Sequence, residues 1–377
     1  MTLLKLNNHI AVDMKNRKGI YYWKCDRLTA FQSPSNQLDS KNAPDFLSSV
    51  ELLLKGVFGT RSFEVLTANG QGNHITYYVK EDEQTYFLRI EDGAECDNYM
   101  NVEARVLENV RLSGVAAPRV YAVDTSRRKF PFSYQLLEFI DYPDLNILYK
   151  KDKFDINKLA GKIGSSIATW QKIPVKKFGF FDPSKLYEDK CLEGLDETYH
   201  EYFLTNWNNH LHFLVESGFL KKDQCLAIRK LVQEHEWCLK LDHGVLVHKD
   251  LALWNILGTK TSIKSFIDWD DTISGDPTDD ISLLACFHSG DFIKEVMEGY
   301  QKVTELPANF ECRFWLHLLR NMIVKAVIRV RGGYFNLNHD FFLIGTGETG
   351  LSLKNATQDR IQKACSGLKD QIKISEL

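Results

Sequence analysis

Strand-forming sequence is confined to one short part of this chain, and that asymmetry restricts the fold more than any other feature. Residues 63–67, 74–80 and 85–90 read as three strands, the last two joined across the polar tetrad 81–84. A helix follows over 98–113, with Val102, Val106, Leu107 and Val110 spaced so that one face can cover a sheet. Residues 118–123 and 134–140 supply two further strands. Ahead of the sheet, Pro44 and Asp45 open a helix whose Leu47, Val50, Leu53 and Leu54 share a face, and Gly59 and Thr60 end it. From Tyr142 onward helical periodicity dominates. Helices are predicted over 158–171, over the aromatic-rich 198–215, over 223–241, and from about Asp280, Phe292 and Phe310. A short β insert over 245–268 interrupts them. The predicted class is α+β and bilobal: a small five-stranded antiparallel β lobe with one inserted helix, and a larger, mainly helical lobe. The chain then divides into an extension over 1–45, a first lobe over 46–140 and a second over 141–377.

The composition excludes several alternatives. Apolar residues make up 44 % and charged residues 26 %, which is ordinary for a soluble globular protein. A formal net charge of −3 exerts no general pull on nucleic acid. No apolar run approaches the roughly 20 residues of a membrane span, and the N-terminus lacks the apolar segment of a secretion signal. Eight cysteines are scattered without zinc-ligand spacing, which reads as thiols in a reducing cytosol. A cytoplasmic protein with neither nucleic acid nor membrane as partner is expected. Oligomeric state is not legible.

Chemistry concentrates in Val247-His248-Lys249-Asp250-Leu251-Ala252-Leu253-Trp254-Asn255 and in Ile267-Asp268-Trp269. Asp250 can orient a hydroxyl and accept its proton. Asn255 lies across a short loop, and Asp268 ends the apolar run 263–267, which reads as a strand. Phosphoryl transfer asks mainly for in-line positioning and for metal ions that neutralise phosphates. Asp250 as base, with Asn255 and Asp268 as ligands to Mg, meets that need, and His-x-Asp-Leu-x-x-x-Asn matches the catalytic-loop signature of kinases.

The first lobe carries matching features. Asn69, Gly70, Gly72 and Asn73 form a turn between two strands, where backbone N–H groups can approach the phosphates of ATP or GTP. Arg89 on the third strand and Glu103 on the next helix form a cation–carboxylate pair of the type that steadies α- and β-phosphates. Arg replaces the usual Lys there and keeps its charge regardless of burial. Glu138 and Ile140 flank an extended linker whose backbone can face an adenine edge.

Taken in order, these segments resemble the aminoglycoside phosphotransferase and choline kinase-like superfamily, which shares the protein-kinase fold. The resemblance runs over about 60 to 290. It includes Ala117-Pro118-Arg119-Val120 and the run Gly275-Asp276-Pro277-Thr278-Asp279-Asp280. It implies that Asp280 caps a helix and anchors the catalytic loop, with Asp276 nearby in a structural role, and that His248 supports the loop backbone rather than acting as base. Lys249 departs from the family, which usually has Gly there, and is expected to keep its ammonium in solvent. A protein kinase is disfavoured, because only residues 269–279 separate Asp268 from Asp280 and leave no room for an activation segment.

The reading is therefore an ATP- and Mg-dependent phosphotransferase acting on a hydroxyl of a small molecule. The alternative is a nucleotide-binding, pseudokinase-like protein without transferase activity, motivated by Arg89 and Lys249. For the acceptor, Glu193, Asp196, Glu197 and Glu201 would suit a polycation. Arg313, Arg320, Lys325, Arg329 and Arg331 would suit a neutral or anionic molecule. Both sets read first as solvated helix faces.

Overall fold

The computed structural model describes residue 17 and residues 44–68, 74–92, 98–152, 154–188, 191–337 and 349–377. The expected turn at 69–73 lies outside them, as does nearly all of the 1–45 extension.

The small lobe is a five-stranded antiparallel sheet, β1 (Glu64–Thr67), β2 (Ile75–Glu81), β3 (Gln84–Glu91), β4 (Val120–Asp124) and β5 (Ser133–Glu138), in the order β1-β2-β3-β5-β4. Alternation sorts its side chains. Tyr86, Leu88 and Ile90 of β3 pack with Tyr77 and Val79 of β2 beneath helix α1 (Pro44–Phe58), which contributes Val50, Leu53 and Leu54. Arg89 points to the opposite face. There it meets helix α2 (Tyr99–Leu112), whose Val102, Val106, Leu107 and Val110 are all buried. The register pairs Arg89 with Thr76 and Gln135, so it sits mid-sheet rather than at a fraying edge.

The large lobe holds helices α3 (Leu145–Asp152), α4 (Asn157–Trp170), α5 (Pro183–Glu188), α6 (Tyr199–Phe203), α7 (Trp207–Glu216), α8 (Lys222–His235), α9 (Asp279–Leu284), α10 (Gly290–Gln301), α11 (Phe310–Arg331) and α12 (Gly350–Asp370). Strands β6 (Phe178–Phe181), β7 (Gly194–Asp196), β8 (Val245–Val247) and β11 (Ile273–Gly275) form a small sheet, and β9 (Ile256–Gly258) pairs with β10 (Ile263–Phe266). Strand β11 pairs with β8 and β6. The short segment after Asp268 is thus consumed as sheet.

Four expectations need correction. The helix expected over 198–215 is two helices, because Asn206 adopts a left-handed backbone (φ 57°) that ends one and begins the next. The long C-terminal helix α12 was not anticipated. Its buried stripe includes the small or polar Thr357, Ala364 and Gly367 beside Leu353 and Ile361, which weakens an apolar repeat. The cysteines are not all thiols, since Cys238 and Cys312 are paired as a disulfide across 74 residues of sequence, a proximity that spacing cannot reveal. The basic residues of α11 do not all lie on a solvated face: Arg320 and Arg329 are buried, while Arg331 is exposed. No described helix is long and apolar enough to cross a membrane.

Candidate active site

Strand β8 delivers the loop from His248 to Asn255 onto an aromatic pedestal. The Trp269 ring lies 4.4 Å from that of His248 and 5.1 Å from that of Trp170. His248 donates from Nε2 to the Ile267 carbonyl (3.0 Å) and accepts at Nδ1 from the Asp250 N–H (3.3 Å). Burial pulls its imidazole down to about 4, so it stands neutral near pH 7 with both nitrogens engaged. That arrangement holds the loop and leaves no nitrogen to serve as general base.

Asp280 anchors the same loop. Its carboxylate accepts the His248 and Lys249 N–H groups, each at 3.0 Å, and the Trp170 indole N–H at 3.3 Å. Burial pushes its carboxyl up to about 7, and the two backbone donors oppose that. The helix cap is Thr278, not Asp280, which lies one residue inside α9. Asp276 accepts the Thr278 N–H (2.8 Å) and lies 3.2 Å from His317.

Asp250 is half-buried at the floor of the cleft. Asn255 fixes it, donating from Nδ2 to the Asp250 carbonyl (2.8 Å) and to its Oδ2 (3.2 Å). The Ile267 N–H donates to the Asn255 carbonyl (3.0 Å), which ties Asp268 to the same loop. Asp268 has φ 62°, a left-handed backbone that side chains adopt at a cost. Its side chain is 39 % exposed and accepts from Arg89 Nη2 at 3.2 Å. Arg89 also grips Glu103 through Nη1 at 2.6 and 2.8 Å. Glu103 in turn accepts the Trp269 N–H at 3.1 Å. Burial alone would lower the guanidinium, but Glu103 and Asp268 hold it above its ordinary range. One buried network therefore runs from β3 through α2 to the strand end at Asp268.

The Gly-containing turn with Asn69, Gly70, Gly72 and Asn73 lies outside the described residues. In the linker, the Glu138 N–H donates to Arg119 O (2.8 Å) and the Ile140 carbonyl accepts from Tyr142 (2.8 Å). Part of the backbone expected to face adenine is thus used internally. The Glu138 carboxylate accepts from the Arg119 N–H (3.0 Å) and Arg111 (3.3 Å).

Lys249 contradicts its expected solvent orientation. Its side chain is 11 % exposed, and its ammonium donates to both oxygens of Asp279 (2.9 and 2.7 Å) and to Asn321 Oδ1 (2.9 Å). Its backbone is left-handed (φ 67°), and its side chain lies over α9. Burial draws the ammonium down from the lysine range and Asp279 opposes it, while Asp279 itself is held well below the carboxylate range. A second residue missed by sequence reading is Arg17, which is buried beside Asp270 and Asp271 with its guanidinium 3.8 Å from the Tyr99 ring centroid. No periodicity or motif marked it. The cleft beside Asp250 is further lined by Tyr202, Asn206, Arg320, Asn321 and Lys325.

The expected acidic set does not line it. Glu193 and Glu197 pair with Lys177 at 3.3 and 2.8 Å, Asp196 is buried, and Glu201 closes the capping box of α6.

Comparison with known proteins places the family and the fold. Residues 65–315 match the Phosphotransferase enzyme family (APH). The fold resembles that of a thermostable mutant of aminoglycoside phosphotransferase APH(4)-Ia solved with AMP-PNP and hygromycin B. Identity is 15 %, TM-score 0.59, and coverage 85 % of this chain and 99 % of that one. It also resembles a candidate fructosamine-3-kinase from Haemophilus somnus 129PT (17 %, TM-score 0.58, coverage 84 % and 97 %). A third likeness is a candidate aminoglycoside phosphotransferase from Ralstonia eutropha JMP134 (14 %, TM-score 0.56, coverage 86 % and 97 %). Among curated proteins no sequence matches the chain.

Proposed function

Because this chain belongs to the phosphotransferase enzyme family, we propose that it moves the γ-phosphoryl group of ATP to a hydroxyl of a small molecule, with Mg as the metal. Asp250 orients the acceptor hydroxyl and takes its proton as the oxygen attacks phosphorus, and ADP leaves. Arg89, held by Glu103, neutralises phosphate oxygens. The observation that carries this reading is the contact of Arg89 with Glu103 and Asp268 at once, which joins the phosphate-binding cation to the metal-binding carboxylate.

The residues present suit Mg. Asn255 commits its Nδ2 to Asp250, so its Oδ1 is the atom left to face a cation, and Asp268 is partly open. Among the described residues no cluster of three or more His, Cys, Asp or Glu side chains could hold a metal. Mg is commonly held by one or two protein oxygens together with phosphates and water. When bound, Mg would neutralise the charge of the transferred group.

Lys249, one motive for a non-catalytic alternative, has a separate task in pairing with Asp279 and is no sign of a decayed site. The test is Asp250→Asn. We expect turnover to fall by about 10³-fold or more while Mg–AMP-PNP binding by calorimetry stays within about threefold, given that Asp250 meets the acceptor rather than the nucleotide. Undiminished turnover would remove Asp250 from the chemistry.

A further inference from the structure

The backbone that follows Asp268 is held at three successive points, and Arg17 supplies the middle one. Resting on the reading of Asp268 as a metal ligand given above, we propose that Arg17 is a positioning residue. It locks residues 269–272 against the small lobe and so fixes the Asp268 carboxylate for Mg.

The three holds follow one another along the chain. Glu103 accepts the Trp269 N–H at 3.1 Å. Arg17 Nη1 donates to the Asp270 carbonyl. The Tyr99 hydroxyl donates to the Thr272 carbonyl at 2.5 Å. Tyr99 and Glu103 both belong to α2 and stand one turn apart on the same face of that helix. Arg17 fills the interval between them. Its guanidinium lies over the Tyr99 ring, 3.8 Å from the centroid. It is also 3.8 Å from Asp271 Oδ1 and 4.0 Å from Asp270 Oδ2, and the side chain is only 1 % exposed. A planar cation can lay its face on a ring while its edge meets oxygens, so one side chain ties α2 to the segment after Asp268.

Charge makes the hold necessary. Asp268, Asp270 and Asp271 put three carboxylates within four residues. Asp270 and Asp271 are buried. Like charges this close repel, and buried carboxylates are costly without cations. Arg89 reaches the first of the three and Arg17 the other two. Asp268 has a left-handed backbone, which persists only where its surroundings hold it. The carbonyl that Arg17 grips lies two residues further on. Without Arg17 the segment would loosen from α2 while the Arg89–Glu103 pair stayed in place. The metal carboxylate would then lose its aim, and the phosphate-binding cation would not.

The test compares the full chain with Arg17→Met, which keeps an apolar side chain and removes the charge. Hydrogen exchange is followed first, in protein free of metal and nucleotide, over residues 267–275 and over α10 as a distant reference. Residues 267–275 should exchange about tenfold faster in the variant, with α10 unchanged. AMP-PNP binding is then measured by calorimetry with Mg and with EDTA. The factor by which Mg tightens binding should fall about tenfold in the variant, and affinity in EDTA should be retained. Arg17→Lys should give a smaller loss of the same kind, because an ammonium keeps the charge but not the planar fork. It carries the test if Arg17→Met does not fold. Unchanged exchange over 267–275, or an unchanged Mg factor in the folded variant, would overturn the proposal and leave Arg17 a stabilising contact only. Failure of both variants to fold would overturn it too. The phosphotransferase reading survives those outcomes as long as Mg tightens AMP-PNP binding to the unaltered chain. No Mg effect on the unaltered chain would bring down the assignment of Asp268, and this inference with it.

Discussion

The two sides of the cleft use the same kind of contact but draw it from different parts of the chain. On the proposed nucleotide side, Arg89 and Glu103 are 14 residues apart, one on a central strand and one on the helix that follows. On the proposed acceptor side, Lys249 meets Asp279, 30 residues on, and Asn321, 72 residues on. Arg17 comes from the far N-terminal end to Asp270, 253 residues away. A pair fixed by two successive elements follows from local geometry. A pair gathered from distant segments exists only once the whole lobe has packed, so each side should respond differently to mutation.

The largest effects should come from breaking each buried pair. Arg89→Leu strands Glu103, which is 1 % exposed, and should cost about 3–5 kcal/mol of stability. It should also abolish measurable Mg–AMP-PNP binding, read by calorimetry on whatever fraction folds. Lys249→Met strands Asp279 and should cost a similar amount by denaturant melts, about 3–5 kcal/mol, with nucleotide affinity retained in the folded protein. Equal loss of nucleotide affinity in both variants would erase the distinction between the sides. Lys249→Gly sharpens the point. It also strands Asp279 but relieves the left-handed backbone, so it should be about 1 kcal/mol less damaging than the Met variant.

Acid should act next, through the large lobe. Burial holds His210 and His248 down to about 4 and His288 to about 3, against an ordinary value of 6.5. Between pH 6.5 and 4 the unfolded chain therefore binds protons that these native histidines refuse, so stability falls as pH falls. Asp280 opposes this. Its carboxyl is raised to about 7, so the native state holds a proton there that the unfolded chain lacks, a contribution lost as pH rises through 7. Three histidines against one carboxyl give a net loss on acidification, measurable as a lower denaturation midpoint at pH 5 than at pH 7. The smallest effect belongs to the exposed Lys177 with its partners Glu193 and Glu197. Lys177→Ala should leave the melting temperature and acceptor selectivity unchanged, as solvent-screened pairs do. A clear loss of selectivity there would return the acidic set to the acceptor site.

Much of the small lobe was legible because its signals are short-range. Strand alternation and one amphipathic helix gave five strands in the observed order of sequence, with Arg89 and Glu103 facing each other. The loop over 248–255 was legible too, since Asp250 and Asn255 meet across a single turn of 3-10 helix, Leu253–Asn255. The break at Asn206 and the inward turn of Lys249 were not. Each depends on a left-handed backbone angle at a residue other than glycine, which residue type does not announce.

The sequence by itself pointed to the phosphotransferase family, because Asp250, Asn255 and Asp268 stand at fixed offsets in one short stretch of chain. Tertiary structure alone decided which charges face the cleft beside Asp250. Arg320 and Lys325 turn to the cleft while Arg329 turns to Thr357 and Glu193 to Lys177. The physical reason is range: loop and strand geometry act over a few residues, whereas the direction of a helix face is set by everything packed against it.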